Sequence, residues 1–251
     1  MLLLELNAPT QFLFLLTFIL AGMVKGLLGV GLPLIAVPLL ATVLDLPSAI
    51  TLMVVPIMAS NLVQAWHGRA HILMVRRLWL LVATMVPCTI ISAQFLATID
   101  VSTGSVVIGA IVILFSITQL IEIRLTINPR HETMLTAAVG SIAGFLNGVS
   151  NIPGPVIVMY LVALRLDKDT FVGTVAALFL VASSTLYLTM AATGMFSPGN
   201  TAASFISSIP VMAGVLFGIA LRKRINETTF KRILTFGLVV LGLHLINKGL
   251  T

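Results

Sequence analysis

Ten apolar segments follow one another along this chain, at 10–27, 32–44, 47–66, 76–97, 103–121, 132–148, 153–165, 170–194, 200–221 and 228–247. Most approach the roughly 20 residues a helix needs to cross about 30 Å of hydrocarbon. A soluble fold of 251 residues would need far more polar surface over one core. Only 9% of the residues are charged, against about 25% in soluble domains. These features exclude a soluble enzyme, a nucleic-acid module and a disordered chain. The expected fold is an all-α polytopic membrane protein with no soluble domain. The N-terminal stretch lacks a basic n-region and a small-residue cleavage site, so it is expected to be a retained first segment. The single cysteine, Cys88, lies in an apolar run and permits no intramolecular disulfide.

Two segments, 32–44 and 153–165, are too short to span, at about 20 Å of helix each. Each follows a Gly/Pro-rich break in a longer apolar stretch. The first is Gly26-Leu27-Leu28-Gly29-Val30-Gly31-Leu32-Pro33, and the second runs from Asn147 to Pro155. Such backbone is tolerated at membrane depth only inside protein or against a wet cavity, because its N–H and C=O groups need partners.

The basic residues set an orientation. Arg69, Arg76 and Arg77 share one loop, Arg124 and Arg130 a second, and Arg165 and Lys168 a third. Arg222, Lys223, Arg224, Lys231 and Arg232 cluster at a fourth, so 12 of the 14 basic residues sit in four places. Putting these loops inside satisfies the positive-inside rule for every crossing. The net charge of +6 then needs no nucleic-acid partner. Both termini are expected outside. The stretch 10–44 starts and ends outside, while 132–169 starts and ends inside, so two broken hairpins enter from opposite faces.

The chain thus reads as an inverted-topology repeat, 1–125 and 126–251, forming one transport domain. Each half is a broken or re-entrant hairpin followed by three spanning helices. Gly22-x3-Gly26-Leu27-Leu28 recurs as Gly140-x3-Gly144-Phe145-Leu146. Leu44-Asp45-Leu46-Pro47 recurs as Leu164-Arg165-Leu166-Asp167, Pro33 falls on Pro153, and Pro87 and Pro210 sit mid-helix in matching spans. Inverted repeats with discontinuous helices are a recurrent plan of secondary transporters, whose sites lie near the midplane. The Gly-x3-Gly pairs also suit close helix packing.

At both breaks a proline suits the first turn of the short helix, where its missing N–H costs nothing. The unpaired N–H groups of that turn, at the positive end of the helix dipole, favour an anion. Gly29, Gly31 and Pro33 in the first break, and Gly148, Pro153, Gly154 and Pro155 in the second, are the backbone candidates. Asn147, Ser150 and Asn151 add neutral donors. Lys25 adds a charge, and an intramembrane cation is a functional candidate by default. Ser60, Asn61 and Gln64 form a polar cluster on a following helix, and Ser183, Ser184, Thr185 and Tyr187 form another. These clusters suit a cavity lining or interhelical hydrogen bonds.

All eight acidic residues (Glu5, Asp45, Asp100, Glu122, Glu132, Asp167, Asp169 and Glu227) fall at segment ends or in loops. Proton and sodium pumps usually place a carboxylate mid-span, so the expectation is passive or potential-driven anion movement. No hydrolase, metalloprotease, P-loop or redox motif is present. His67 and His71 have i, i+4 spacing without a third ligand. No enzyme activity, cofactor or metal is expected. The expected partners are a small anionic substrate and the lipid bilayer.

The pattern Gly22-x3-Gly26-Leu27-Leu28-Gly29-Val30-Gly31-Leu32-Pro33, with its echo Gly144-Phe145-Leu146-Asn147-Gly148 and Gly154-Pro155, resembles the sulfite exporter TauE/SafE family of membrane permeases. Leu27, Leu28 and Val30 stand where further glycines are common in that family, and Asn147 and Asn151 replace small residues. The resemblance implies a bacterial inner-membrane permease for sulfite or an organosulfonate, and the two half-helix starts lead to the expectation that the substrate is held near the midplane between the breaks. An anion channel with a fixed pore and an intramembrane lipid-processing enzyme are the alternatives.

Overall fold

The computed structural model describes residues 8–29, 31–67, 71–96, 98–120, 131–196, 198–221 and 227–251. Within them it describes every side chain except those of 66–67, 71–73, 118–120, 168–169, 198 and 227–231. Val30, the basic-loop residues Arg69, Arg124, Arg130, Arg222, Lys223 and Arg224, and the acidic Glu5 and Glu122 fall outside the described residues. So do the side chains of His67, His71, Lys168, Asp169, Glu227 and Lys231.

Each apolar segment carries helix. In chain order these are α1 (Ala8–Leu28), α2 (Leu32–Leu40), α3 (Leu46–Leu52), α4 (Val54–His67), α5 (His71–Arg77) and α6 (Trp79–Leu96). There follow α7 (Val101–Leu120), α8 (Glu132–Ser150), α9 (Gly154–Ala163), α10 (Lys168–Ala192), α11 (Pro198–Leu221) and α12 (Glu227–Leu250). Among the described residues there is no strand. Among the described residues six helices are long and apolar enough to cross a membrane, and α3 with α4, bent by 42° at their junction, makes a seventh if taken as one span. The chain is an integral membrane protein. The half-helices are shorter than the sequence suggests, at 9 residues for α2 and 10 for α9. Ala41–Ser48 begins with turns rather than helix, and Arg165 takes a positive φ of 54° just after α9. At about 1.5 Å per residue neither half-helix can cross hydrocarbon.

Three of the acidic residues at segment ends are helix caps. Asp45 accepts the Ser48 N–H at 2.9 Å at the start of α3, and Asp167 accepts the Thr170 N–H at 3.0 Å at the start of α10. Asp100 accepts the Thr103 N–H at 3.0 Å at the start of α7, and this bond holds its carboxyl below the usual carboxylate range. Each carboxylate satisfies one of the four orphan donors of a helix start. Glu132, at the start of α8, pairs with Arg77 at 2.8 Å.

The chain forms two compact units. One comprises Met1–Pro56, Ile99–Glu122 and Met195–Thr251, and the other Ile57–Thr98 and Ile123–Gly194. In the first, α1 lies along α11, α12 lies along α7, and α2 packs on α1 and α12. In the second, α8 lies along α6, α10 packs on α5 and α6, and α9 packs on α8 and α10. Each unit therefore combines stretches from both halves of the sequence.

Glycine sets how closely the long helices approach. A Cβ at Gly22 would overlap the Val211 carbonyl, and one at Gly26 the Val215 carbonyl. From the opposite side, Gly214 and Gly218 meet the carbonyls of Ile19 and Met23 in the same way. In the second unit, Gly140 and Gly144 meet the carbonyls of Leu81 and Met85, and a Cβ at Gly148 would lie 2.6 Å from the Thr89 carbonyl oxygen. Both partners advance along the chain together, so α1 runs parallel to α11 and α8 runs parallel to α6. In lipid, where apolar burial gives little drive for helix association, such close backbone contact supplies much of the cohesion.

The bend between α3 and α4 has a local cause that the sequence reading did not draw. Pro56 has no N–H, so the Leu52 carbonyl loses its helical donor. The hydroxyls of Ser204 and Ser207 on α11 each donate to that carbonyl at 3.0 Å, and the Val55 N–H donates to Ser204 Oγ at 3.0 Å. The break is thus satisfied from a neighbouring helix, as irregular backbone in a membrane must be. Replacing Ser204 and Ser207 together with alanine is expected to cost about 1–2 kcal/mol, the scale of two interhelical bonds. Ser208→Ala, which removes only a bond to its own helix's Ser204 carbonyl, is expected to leave the melting temperature near that of the parent protein. Thermal melts of the purified proteins check both outcomes.

Candidate functional site

The first break lies within the first unit. α1 ends at Leu28, and the Gly29 N–H closes the last turn on the Lys25 carbonyl at 2.8 Å. Gly29 and Gly31 have φ of 79° and 103°, the left-handed region that glycine enters without strain. Little crowds either one: a Cβ at Gly29 would meet nothing within 4 Å, so the backbone angle is what calls for glycine there. α2 then starts at Leu32 with Pro33 in its first turn and no side-chain cap. Nearly all of α2 is buried. Its N-terminal N–H groups therefore lie inside protein, with the positive end of the helix dipole behind them.

Lys25 lies one turn before this break and is buried. It stands in the last turn of α1, where a cation complements the negative end of that helix. At the far end of the half-helix, Lys248 donates from Nζ to the carbonyls of Ala41 and Thr42, at 3.0 and 2.9 Å. Those bonds satisfy backbone acceptors just past the C-terminus of α2. The sequence reading did not single out Lys248. The available signal was a lone lysine near the end of the last apolar segment.

The second break lies within the second unit. α8 ends at Ser150, and Asn151 takes the left-handed conformation (φ 60°) as its C-cap, donating its N–H to the Asn147 carbonyl at 2.7 Å. Pro153 is the N-cap of α9, Pro155 sits in the first turn, and again no side chain caps the N-terminus. Gly154 faces Phe179 of α10, whose ring would lie 3.2 Å from a Cβ there.

Asn147, Ser150 and Asn151 are all fully buried. Their donors are directed at protein. Asn147 Nδ2 donates to the Ala182 carbonyl at 2.8 Å and to Thr89 Oγ1 at 3.4 Å. Asn151 Nδ2 donates to the Tyr187 hydroxyl at 3.0 Å, and the Ser150 hydroxyl donates to its own helix at the Leu146 carbonyl at 2.6 Å. Thr89 and Ser92 on α6 support the same region, both donating to the Gly144 carbonyl, at 3.2 and 3.3 Å. Sequence reading passed over these two hydroxyls, although polar residues three apart in an apolar helix mark a face.

On α4, Ser60 and Asn61 are buried while Gln64 is half-buried, and the Ser60 hydroxyl donates to the Ile57 carbonyl at 3.1 Å. Of the second polar cluster, Tyr187 joins the Asn151 break, Ser184 reaches the Met58 sulfur at 3.9 Å, and Thr185 bonds within α10. The structure therefore groups Lys25, Gly29, Gly31 and Pro33 at one half-helix start in the first unit. It groups Asn147, Gly148, Ser150, Asn151, Pro153, Gly154 and Pro155 at another in the second unit.

A family model described as Sulfite exporter TauE/SafE matches residues 14–245, nearly the whole chain. No curated protein and no solved structure matches.

Proposed function

The chain belongs to the sulfite exporter TauE/SafE family, and on that premise we propose that it is a secondary permease for a small oxyanion, sulfite or an organosulfonate. The family places it among membrane transporters of sulfite-type anions. The anion binds near the bilayer midplane at a Gly/Pro break, and alternating access exposes it to each side in turn. The observation that carries this reading is the repeated uncapped half-helix: α2 and α9 both start at a Gly/Pro break with proline in the first turn and no side-chain cap. First-turn N–H groups with no side-chain cap, buried at the start of α2 and half-buried at the start of α9, suit an oxyanion with several acceptor oxygens. Lys25 supplies the one formal positive charge beside the first break.

The inverted repeat belongs to the same proposal. Gly22 and Gly26 meet Val211 and Val215, while Gly140 and Gly144 meet Leu81 and Met85. In both cases the first helix of a hairpin runs parallel to a spanning helix from the other half, with the same four-residue step. That equivalence supports two similar halves exchanging elements. It also agrees with the charge-derived topology, in which the two members of each pair start on the same face.

Reconstituted into liposomes, the protein is expected to take up labelled sulfite or a simple sulfonate saturably and to show counterflow. Conductance events in a planar bilayer without counterflow would instead make it a channel. Melts against sulfite, sulfate, thiosulfate, taurine, sulfoacetate and a carboxylate are expected to rank the sulfur oxyanions first.

A further inference from the structure

At the second break the side chains present acceptors, not donors. Asn147 has both amide N–H groups engaged, on the Ala182 carbonyl and Thr89 Oγ1. Turning the amide over would set its oxygen against the Ala182 carbonyl oxygen, so the orientation is fixed by chemistry. Its Oδ1, fully buried, accepts no hydrogen bond among the described residues, and the same holds for Asn151 Oδ1. An unsatisfied acceptor buried in protein is costly, and two stand one turn apart here.

Their setting has a definite sign. Both belong to the last turn and cap of α8, the negative end of that helix. The first unit carries its own cation at the corresponding place, since buried Lys25 lies in the last turn of α1. When Gly22 and Gly26 are set on Gly140 and Gly144, Lys25 falls on Ala143, so the second half lacks that charge. We propose that the buried acceptors Asn147 Oδ1 and Asn151 Oδ1, at the C-terminal turn of α8, bind a small monovalent cation, which does for the second break what Lys25 does for the first.

Neutral amide and carbonyl oxygens suit a hard alkali ion, and with no carboxylate in that turn a single charge fits better than a double one. The α9 N-terminus begins three residues beyond Asn151. A cation at the end of α8 and an anion at the start of α9 would therefore sit side by side and favour each other's binding. The expectation of uncoupled anion movement rested on the absence of mid-span carboxylates, and a site of neutral oxygens escapes that criterion. The cation site stands on geometry alone. Its use in transport rests on the permease reading.

The full chain in lipid nanodiscs is melted in chloride salts of sodium, lithium, potassium and choline at equal ionic strength. At least one alkali ion is expected to raise the melting temperature saturably above the choline value. Asn151→Ala is expected to abolish that rise, while the lost Tyr187 bond and an alanine at a φ of 60° lower its melting temperature equally in all four salts. Asn151→Asp adds a charge that the Tyr187 hydroxyl can still bond, and is expected to lower the half-saturating cation concentration by at least roughly tenfold. Asn151→Asp decides the matter if Asn151→Ala does not fold. Identical melts in all four salts, or an undiminished cation effect in both variants, would overturn the site. Titration with choline salts of sulfite and a sulfonate separates the two proposals. Anion stabilisation without any cation effect would leave the permease standing and remove this inference, whereas a cation effect without anion stabilisation would do the reverse.

Discussion

Gly144→Ala is expected to prevent normal assembly of the second unit. The new methyl group would overlap the Met85 carbonyl and lie 2.9 Å from Cys88 Cβ. Neither obstacle can swing aside as the end of a flexible side chain would. The two helices must move apart along their length, which also strains the neighbouring contacts of Gly140 and Gly148. Overpacking a well-fitted core costs about 1–3 kcal/mol, and a backbone obstacle places this change at the upper end. The equivalent change in the first unit, Gly26→Ala, meets the Val215 carbonyl and is expected to behave alike. Gly237→Ala is the control, since nothing lies within 4 Å of a Cβ there and alanine is the better helix former by about 1 kcal/mol. The yield of monodisperse protein and its melting temperature are the measurements. Parent-like melts of Gly144→Ala would mean that α6 and α8 are not in close contact.

Lys25→Ala is expected to lower anion uptake by at least about tenfold, the equivalent of losing a charge-assisted bond worth about 1.5–3 kcal/mol. The measurement is sulfite or sulfonate uptake into proteoliposomes, with binding followed by calorimetry. Lys25 also complements the negative end of α1, so Lys25→Arg is the informative companion. It keeps the charge but adds bulk and changes donor geometry. If the charge serves only the helix end, Lys25→Arg should restore the melting temperature and Lys25→Ala should keep anion affinity despite reduced stability. If the charge serves the anion, affinity falls in Lys25→Ala even where the protein remains folded. Unchanged anion binding in Lys25→Ala would remove this residue from the proposed site.

The helices were legible because the apolar segments have spanning length and their ends carry recognisable residues. Asp45, Asp100 and Asp167 are caps as well as segment boundaries. The two breaks were legible for the same kind of local reason. Gly29 and Gly31 adopt positive φ, and Pro33 and Pro155 sit where a missing N–H costs nothing. The bend at Met53 was less visible: Pro56 announces a freed carbonyl, but only the position of Ser204 and Ser207 shows how it is satisfied. The role of the glycines was ambiguous, since the same spacing serves helix contact or ligand approach. The structure assigns Gly22, Gly26, Gly140 and Gly144 to contact with facing backbone.

By itself the sequence determined the membrane environment, the helical segments and the places where the helices must break. These follow from hydropathy, backbone angles and missing donors, all local to a few residues. Only the tertiary structure decided which helices meet and what each polar group faces. Asparagine carries donors and an acceptor on one amide, so the letters at 147 and 151 leave the sign of its contribution open. The carbonyl of Ala182 and the hydroxyl of Tyr187, both on α10, take the donors and leave both amide oxygens buried without a hydrogen bond among the described residues. Those contacts join residues more than 30 positions apart, a separation that no local pattern encodes.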